Sequence, residues 1–193
     1  MDVIKRAGAI LLTPRTEWPV IDREKLNANT ELLLYVAVLA LVPAVAGFVG
    51  TSIIGVVAAD GRTVRVPMDR GVLDVFATYV LAFVAVYAVA LIINRLAPYF
   101  GGERNFVAAL KLSVFSFTPV WLAGVFLVLP GLGFLTILGL YAFYLAWTGA
   151  PVLMKSSEDL ALRYAAIVIA CALGLIIVLT MIQGALVAAP GIV

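Results

Sequence analysis

Few side chains in this 193-residue chain could do chemistry. There is no histidine and one cysteine, Cys171, which lies in an apolar run. Imidazole bases, most zinc, haem and iron–sulfur centres and Ser-His hydrolysis are therefore excluded, as is an intrachain disulfide. Any catalysis would fall to carboxylates or lysine. Asp74, Glu103, Glu158 and Asp159 read as solvated groups at loop ends. Lys111 is different, because it falls a few residues inside a long apolar stretch and is followed by Ser113, Ser116, Thr118 and Pro119. An ionisable group at membrane depth marks ion and substrate paths. Two readings of it stand. Either the lysine stem carries the ammonium back to the headgroups, or a carboxylate such as Asp74 or Glu103 pairs with it, making Lys111, Ser113, Ser116, Thr118, Asp74 and Glu103 one functional polar cluster. The hydroxyls ahead of Pro119 also suit the carbonyls that a proline leaves without a donor. Gly101-Gly102 and Gly131-x-Gly133 lack the lysine and the strand-to-helix setting of a phosphate loop. Nucleotide binding is excluded, no cofactor or metal is expected, and no enzyme is read here.

The elements that must position these groups follow from composition. With 64% hydrophobic and 12% charged residues and a mean hydropathy of +1.15, the chain lies far outside soluble globular proteins. The formal charge of +2 gives no reason to expect a nucleic-acid partner. About 20 apolar residues cross a hydrocarbon core of ~30 Å, and the sequence supplies five such runs, over about 32–55, 72–93, 107–129, 132–154 and 164–189. The expected fold is all-α, a polytopic membrane bundle of five transmembrane helices. Pro130-Gly131-Leu132-Gly133 turns the third span into the fourth, and Pro190-Gly191 ends the fifth. Asp74 is expected in the first turn of the second span, favourable to the helix dipole. Between the first two spans, residues 56–59, then Asp60-Gly61, then alternating residues 62–66 read as a small β-hairpin, the alternative being a frayed helix end with an irregular loop. Residues 155–163 read as a short charged connection. Asn94 and Gln183 read as interhelical or interfacial polar groups.

Residues 1–31 form a separate N-terminal segment ahead of the transmembrane domain, 32–193. Val3, Ile4, Ala7, Ile10 and Leu11 share one helical face opposite Asp2, Lys5 and Arg6 until Pro14 stops the helix. This predicts a short amphipathic helix lying on the membrane surface, anchored at the interface by Lys5, Arg6 and Trp18. Residues 22–31 read as a polar approach helix. Ten basic residues fall on the N-terminal side of the spans and three on the other. The positive-inside rule therefore predicts a cytoplasmic N-terminus and an external C-terminus, in what reads as a prokaryotic inner membrane. Small residues at four-residue spacing, Ala142, Ala146 and Ala150, and Ala166, Ala170 and Gly174, predict close helix packing within the bundle or against a second copy.

The order of short motifs along the chain carries a resemblance. A Pro14-Arg15-Thr16-Glu17-Trp18-Pro19 segment precedes Ile21 and Glu24. Gly101-Gly102-Glu103-Arg104-Asn105-Phe106, Lys111, Phe115-Ser116-Phe117-Thr118-Pro119, Pro130, Gly149-x-Pro151, Lys155 and Glu158 follow. Together these resemble the prokaryotic branch of the Yip1 family over about residues 7–185. The resemblance implies a five-helix bundle with a cytoplasmic N-terminus. Eukaryotic relatives bind Rab-type GTPases, associate with one another and act in vesicle traffic and membrane shaping, largely through a long N-terminal region. Here that region is 31 residues long and the Asp-Leu-x-Gly-Pro motif is missing, so GTPase binding is not carried over. The expected function is that of a non-enzymatic membrane protein that organises lipid or binds partner proteins, with membrane lipids, other membrane proteins or further copies of itself as partners. The alternative is a small transporter or channel with a pathway near Lys111 and the Pro119 break.

Overall fold

Backbone in hydrocarbon has to satisfy its own hydrogen bonds, which leaves the helix as the form an apolar run can take. In the computed structural model, which describes residues 2–24, 28–58 and 60–188, five stretches are long and apolar enough to cross a membrane: Thr30–Ile54, Met68–Phe100, Phe106–Val128, Pro130–Leu153 and Glu158–Val187. Two short helices precede them, α1 (Val3–Leu12) and α2 (Pro14–Arg23). The first span is α3 (Leu33–Phe48) with a π-helical turn at either end. The second is α4 (Met68–Leu96) with a closing 3₁₀ turn at Ala97–Phe100. The third comprises α5 (Phe106–Ser116), α6 (Thr118–Ala123) and a 3₁₀ segment, Gly124–Val128. The fourth begins as 3₁₀ helix at Pro130–Leu140 and continues as α7 (Tyr141–Leu153), and the fifth is α8 (Glu158–Ala188).

The third span is the centre of the bundle: 61% of its most apolar window is buried, against 17–39% for the other four. Its break comes at Phe117, and Pro119 sits in the first turn of α6, where an absent N–H is no loss. Glycine allows its close approach to the first span. A Cβ on Gly124 would stand 2.6 Å from Pro43, and one on Gly50 would stand 2.0 Å from the Leu127 carbonyl oxygen. Tyr35, Phe115 and Trp121 form the aromatic middle of the core, with Tyr35 edge-on to Phe115 at 4.9 Å between ring centroids.

Two interhelical hydrogen bonds set the vertical scale. Gln183 Nε2 donates to Asp74 Oδ1 at 2.7 Å at one end of the α4–α8 pair, and the Tyr164 hydroxyl donates to the Ile93 carbonyl at 2.5 Å at the other. Nineteen residues separate these levels in each helix, a rise of about 29 Å that matches the ~30 Å hydrocarbon core. Lys111, Leu112 and Ala146–Ala150 lie near the Ile93–Tyr164 level, since Leu112, Ala146 and Ala150 meet Ile93 and Tyr164 in one small crevice.

Several expectations change. The second helix starts at Met68, so Asp69, not Asp74, occupies its first turn. The fifth helix starts at Glu158 and absorbs much of the expected charged connection, with Glu158 and Asp159 in its first turn, where the helix dipole favours them. The stripe Ala142, Ala146 and Ala150 is buried, whereas Ala166, Ala170 and Gly174 are exposed. On α8 it is Ala161, Ala165, Val168 and Ala172 that face the bundle. Small residues run along both sides of that helix, and spacing alone does not say which side is covered. The hairpin forms, with Val56 opposite Val64 and Val57 opposite Thr63, and Gly61 takes the positive φ of +81° that its turn needs. The expected stop at Pro190-Gly191 and part of the polar approach helix, residues 25–27, lie outside the described residues.

Candidate functional site

Pro14 does not end the N-terminal helical structure; it starts a second helix. With φ preset and no N–H to lose, proline suits the first helical position, and α2 folds back on α1 as a helical hairpin. Trp18 and Ile21 share the inner face of α2 and are fully buried, as is Ile10 of α1. The expected position of Trp18 as an interfacial anchor is thus corrected: its ring is inserted between α5 and α7. Nε1 donates to Thr148 Oγ1 at 3.1 Å, and the ring stands edge-on to Phe115 at 6.5 Å. Gly149 makes the room, since a Cβ there would come within 2.6 Å of both the indole and Leu112.

Lys111 is 6% exposed. Neither Asp74 nor Glu103 receives its ammonium, which points inward to the main chain of α2. Nζ donates to the carbonyls of Ile21 at 2.8 Å and Glu24 at 2.7 Å, groups at the end of α2 that have no partner within the helix. A cation there also meets the negative end of the helix dipole. Arg6 is corrected in the same way. It faces inward, where its guanidinium pairs with both Glu17 and Glu24, while Lys5 remains on the outside. Lys155 closes the assembly, donating to Asp22 Oδ2 at 2.7 Å and to the Val152 carbonyl at 2.6 Å. At the far tip of the hairpin the Tyr141 hydroxyl donates to the Leu11 carbonyl at 3.0 Å. Tyr141 lies seven residues from Thr148, so the tip descends about 10 Å below the Trp18 level.

The loops beside this assembly are tied to each other. Glu103 N–H donates to the Met154 carbonyl at 2.8 Å and Ser157 N–H to that of Phe100 at 3.1 Å. A Cβ on Gly102 would lie 2.6 Å from the Met154 carbonyl oxygen. Of the motifs that carried the resemblance, the Pro14–Pro19 segment, Gly101–Asn105, Lys111, Gly149-x-Pro151 and Lys155, far apart in sequence, therefore meet at one end of the bundle, while Pro130 lies at the other, where the fourth span begins.

The polar cluster expected around Lys111 is not brought together. Ser113 donates to the Val86 carbonyl at 2.8 Å, and Thr118 shares a hydrogen bond with the Tyr35 hydroxyl at 2.8 Å. Ser116 Oγ is buried with no partner among the described residues. None of the three serves a carbonyl freed by Pro119. Glu103 is exposed in its loop, and Asp74 is at the opposite end of the bundle, where Gln183 also donates to Thr78 Oγ1 at 2.8 Å. A cavity of about 390 Å³ opens between the second, third, fourth and fifth spans, walled by residues such as Val89, Phe117, Phe134 and Val168 with Ser113 and Ser116 also lining it; Lys111 does not line it. Among the described residues no group of three His, Cys, Asp or Glu could hold a metal ion.

Sequence reasoning missed the roles of Glu17, Asp22, Glu24 and Thr148. A signal for the glutamates was present, because Glu17 and Glu24 lie two turns apart on the α2 face next to Trp18 and Ile21.

No curated protein and no solved structure matches the chain. The family model described as the Yip1 domain matches residues 8–180, from the middle of α1 through most of α8 and so across both the docked hairpin and all five spans. By that match, this integral membrane protein belongs to the Yip1 family.

Proposed function

We propose that the protein is a non-enzymatic organiser of its membrane, in which the α1–α2 hairpin acts as a wedge in one leaflet. The observation that carries this reading is the docking of the hairpin along one end of the bundle, with its tip reaching Tyr141. There it adds two helices to the cross-section of one leaflet and none to the other. Apolar faces immersed by ~5–10 Å are typical of membrane-surface helices, and Ile4 and Leu12, 81% and 83% exposed, supply such a face. By the distribution of basic residues, the wedged leaflet is the cytoplasmic one. Transport through a path at Lys111 draws less support, because that ammonium is already held by two carbonyls.

The test is reconstitution of the full chain. A spin label at Leu12→Cys in a Cys171→Ala background is expected to report hydrocarbon depth, and the proteoliposomes are expected to shift toward smaller radii without added solute flux. A label that reads bulk water, with radii unchanged, refutes the wedge. Ion flux that Lys111→Met abolishes establishes transport instead.

A further inference from the structure

The hairpin sorts its charges by side. Of its acidic groups, Glu17 and Glu24 face inward to Arg6 and Asp22 faces Lys155. The outward side holds Lys5, Arg15 and Arg23, all exposed. Against these three cations stands one outward carboxylate, Asp2, which is already engaged: it caps α1 by accepting from the Ile4 and Lys5 amides at 3.2 Å and lies 3.8 Å from Lys5 Nζ. Arg15 and Arg23 have no ion pair or hydrogen bond among the described residues. Ile4, Leu12 and Val20 stand exposed between the cations.

From this arrangement we infer that the outer face of the α1–α2 hairpin is a docking surface for anionic phospholipid headgroups of the leaflet it enters. Exposed aliphatic side chains interleaved with exposed lysine and arginine match a bilayer interface, with the aliphatic groups among the acyl chains and the cations at the phosphates. Anionic lipid is selected because the acids of the same segment are held on the other side, leaving a net positive face. A second copy meeting this face with the same face would bring three cations against three cations, which opposes pairing. The nearby loops do not share the property: Glu103 offsets Arg104, and Glu158 and Asp159 lie beside Arg163.

The inference rests on the wedge reading, and one preparation separates the two. The full chain is placed in bilayers of phosphatidylcholine and phosphatidylglycerol, and the association of spin-labelled anionic and zwitterionic lipids with the protein is compared. Wild type is expected to enrich the anionic lipid severalfold, with the preference weakening as salt rises. Lys5→Gln/Arg15→Gln/Arg23→Gln is expected to bring it close to one, while Arg104→Gln/Arg163→Gln leaves it nearly unchanged. The three hairpin positions make no inward contact, so the triple variant should keep the wild-type melting temperature. Equal loss in both variants, or enrichment that persists in the triple variant, overturns the inference. If the label at position 12 reports immersion and wild type shows no anionic preference, this inference fails while the wedge stands; if the label reads water, both fail.

Discussion

Replacing Trp18 by alanine should release the N-terminal hairpin without unfolding the bundle. The indole is fully buried, and truncation of a buried Trp typically costs about 3–5 kcal/mol. The Nε1 hydrogen bond to Thr148 and the edge-on contact with Phe115 belong to that total. The loss is concentrated in one small unit. Besides Trp18, the hairpin is held by Arg6 to its own glutamates, by Lys111 and Lys155 to the end of α2, and by Tyr141 at the tip. The five spans keep their mutual contacts. Opening should therefore be local, and amide hydrogen exchange in nanodiscs reads it directly. At about 1.4 kcal/mol per tenfold change, exchange of the inner amides of α1 and α2 should accelerate by about 100-fold or more, with protection in α5 and α8 nearly unchanged. Trp18→Phe keeps most of the ring contact and loses the donor, so its cost should be nearer 1 kcal/mol and its acceleration roughly fivefold. Uniform acceleration through all five spans would refute the reasoning, since it would mean that the hairpin and bundle open as one unit. No acceleration in Trp18→Ala would mean that the indole does not hold the hairpin at all.

Other perturbations test the same geometry. Gly149→Ala places a Cβ 2.6 Å from the Trp18 ring and from Leu112, and overpacking of this kind costs about 1–3 kcal/mol. Gly131→Ala and Gly133→Ala meet open space and should stay within about 0.5 kcal/mol of wild type, so thermal melts in one lipid should separate Gly149 from the other two. Lys111→Met removes the donor from two carbonyls at the end of α2 and should cost about 1–3 kcal/mol for each one left unsatisfied; exchange at Ile21 and neighbouring amides checks it, and wild-type protection there would refute the capping role. The hairpin loop carries a pH prediction. The backbone N–H of Arg62, and then its side chain, hold the Asp60 carboxyl below its ordinary value. A depressed carboxyl contributes order above the usual carboxylate range and loses it as pH falls through the lowered value, so the Arg62 amide signal should keep its folded shift at neutral pH and move at a pH below that of an ordinary aspartate. Asp60→Asn should flatten that acid transition.

The spans were legible because hydropathy and length are properties of the chain alone. So was the Asp60-Gly61 turn, because its requirement is local. The N-terminal segment was harder for a physical reason. Val3, Ala7 and Ile10 make an apolar face that would suit a bilayer as well as a protein groove, and periodicity does not say which of the two covers it. The groove appears only when Phe115 and Gly149, thirty-four residues apart, are placed side by side. Arg6 was read as outward on the same ground, although Glu17 and Glu24 are in position to receive it once α2 folds back on α1. The error at Trp18 has the same source: an amphipathic ring near a membrane boundary fits the headgroup layer by chemistry alone, and its burial depends on glycine at a site more than a hundred residues away.

Lys111 shows how far a lone charge can mislead in a chain this apolar. At membrane depth an ionisable residue signals function by default because holding the charge there is costly unless something is gained. That argument presumes that the partner is another side chain or a transported species. Here the partners are main-chain carbonyls at the end of α2, and backbone carries no sequence signature. The same cost that would make a transport lysine conspicuous makes this one an effective latch, because an ammonium at the bilayer boundary gains from each carbonyl it reaches and can leave them only for water or headgroups. If the lysine serves the hairpin, Lys111→Arg should preserve hairpin protection better than Lys111→Met, since guanidinium can still donate to two acceptors. If the charge itself carried ions through the bundle, the two variants would differ in flux and leave protection of α1 and α2 alone.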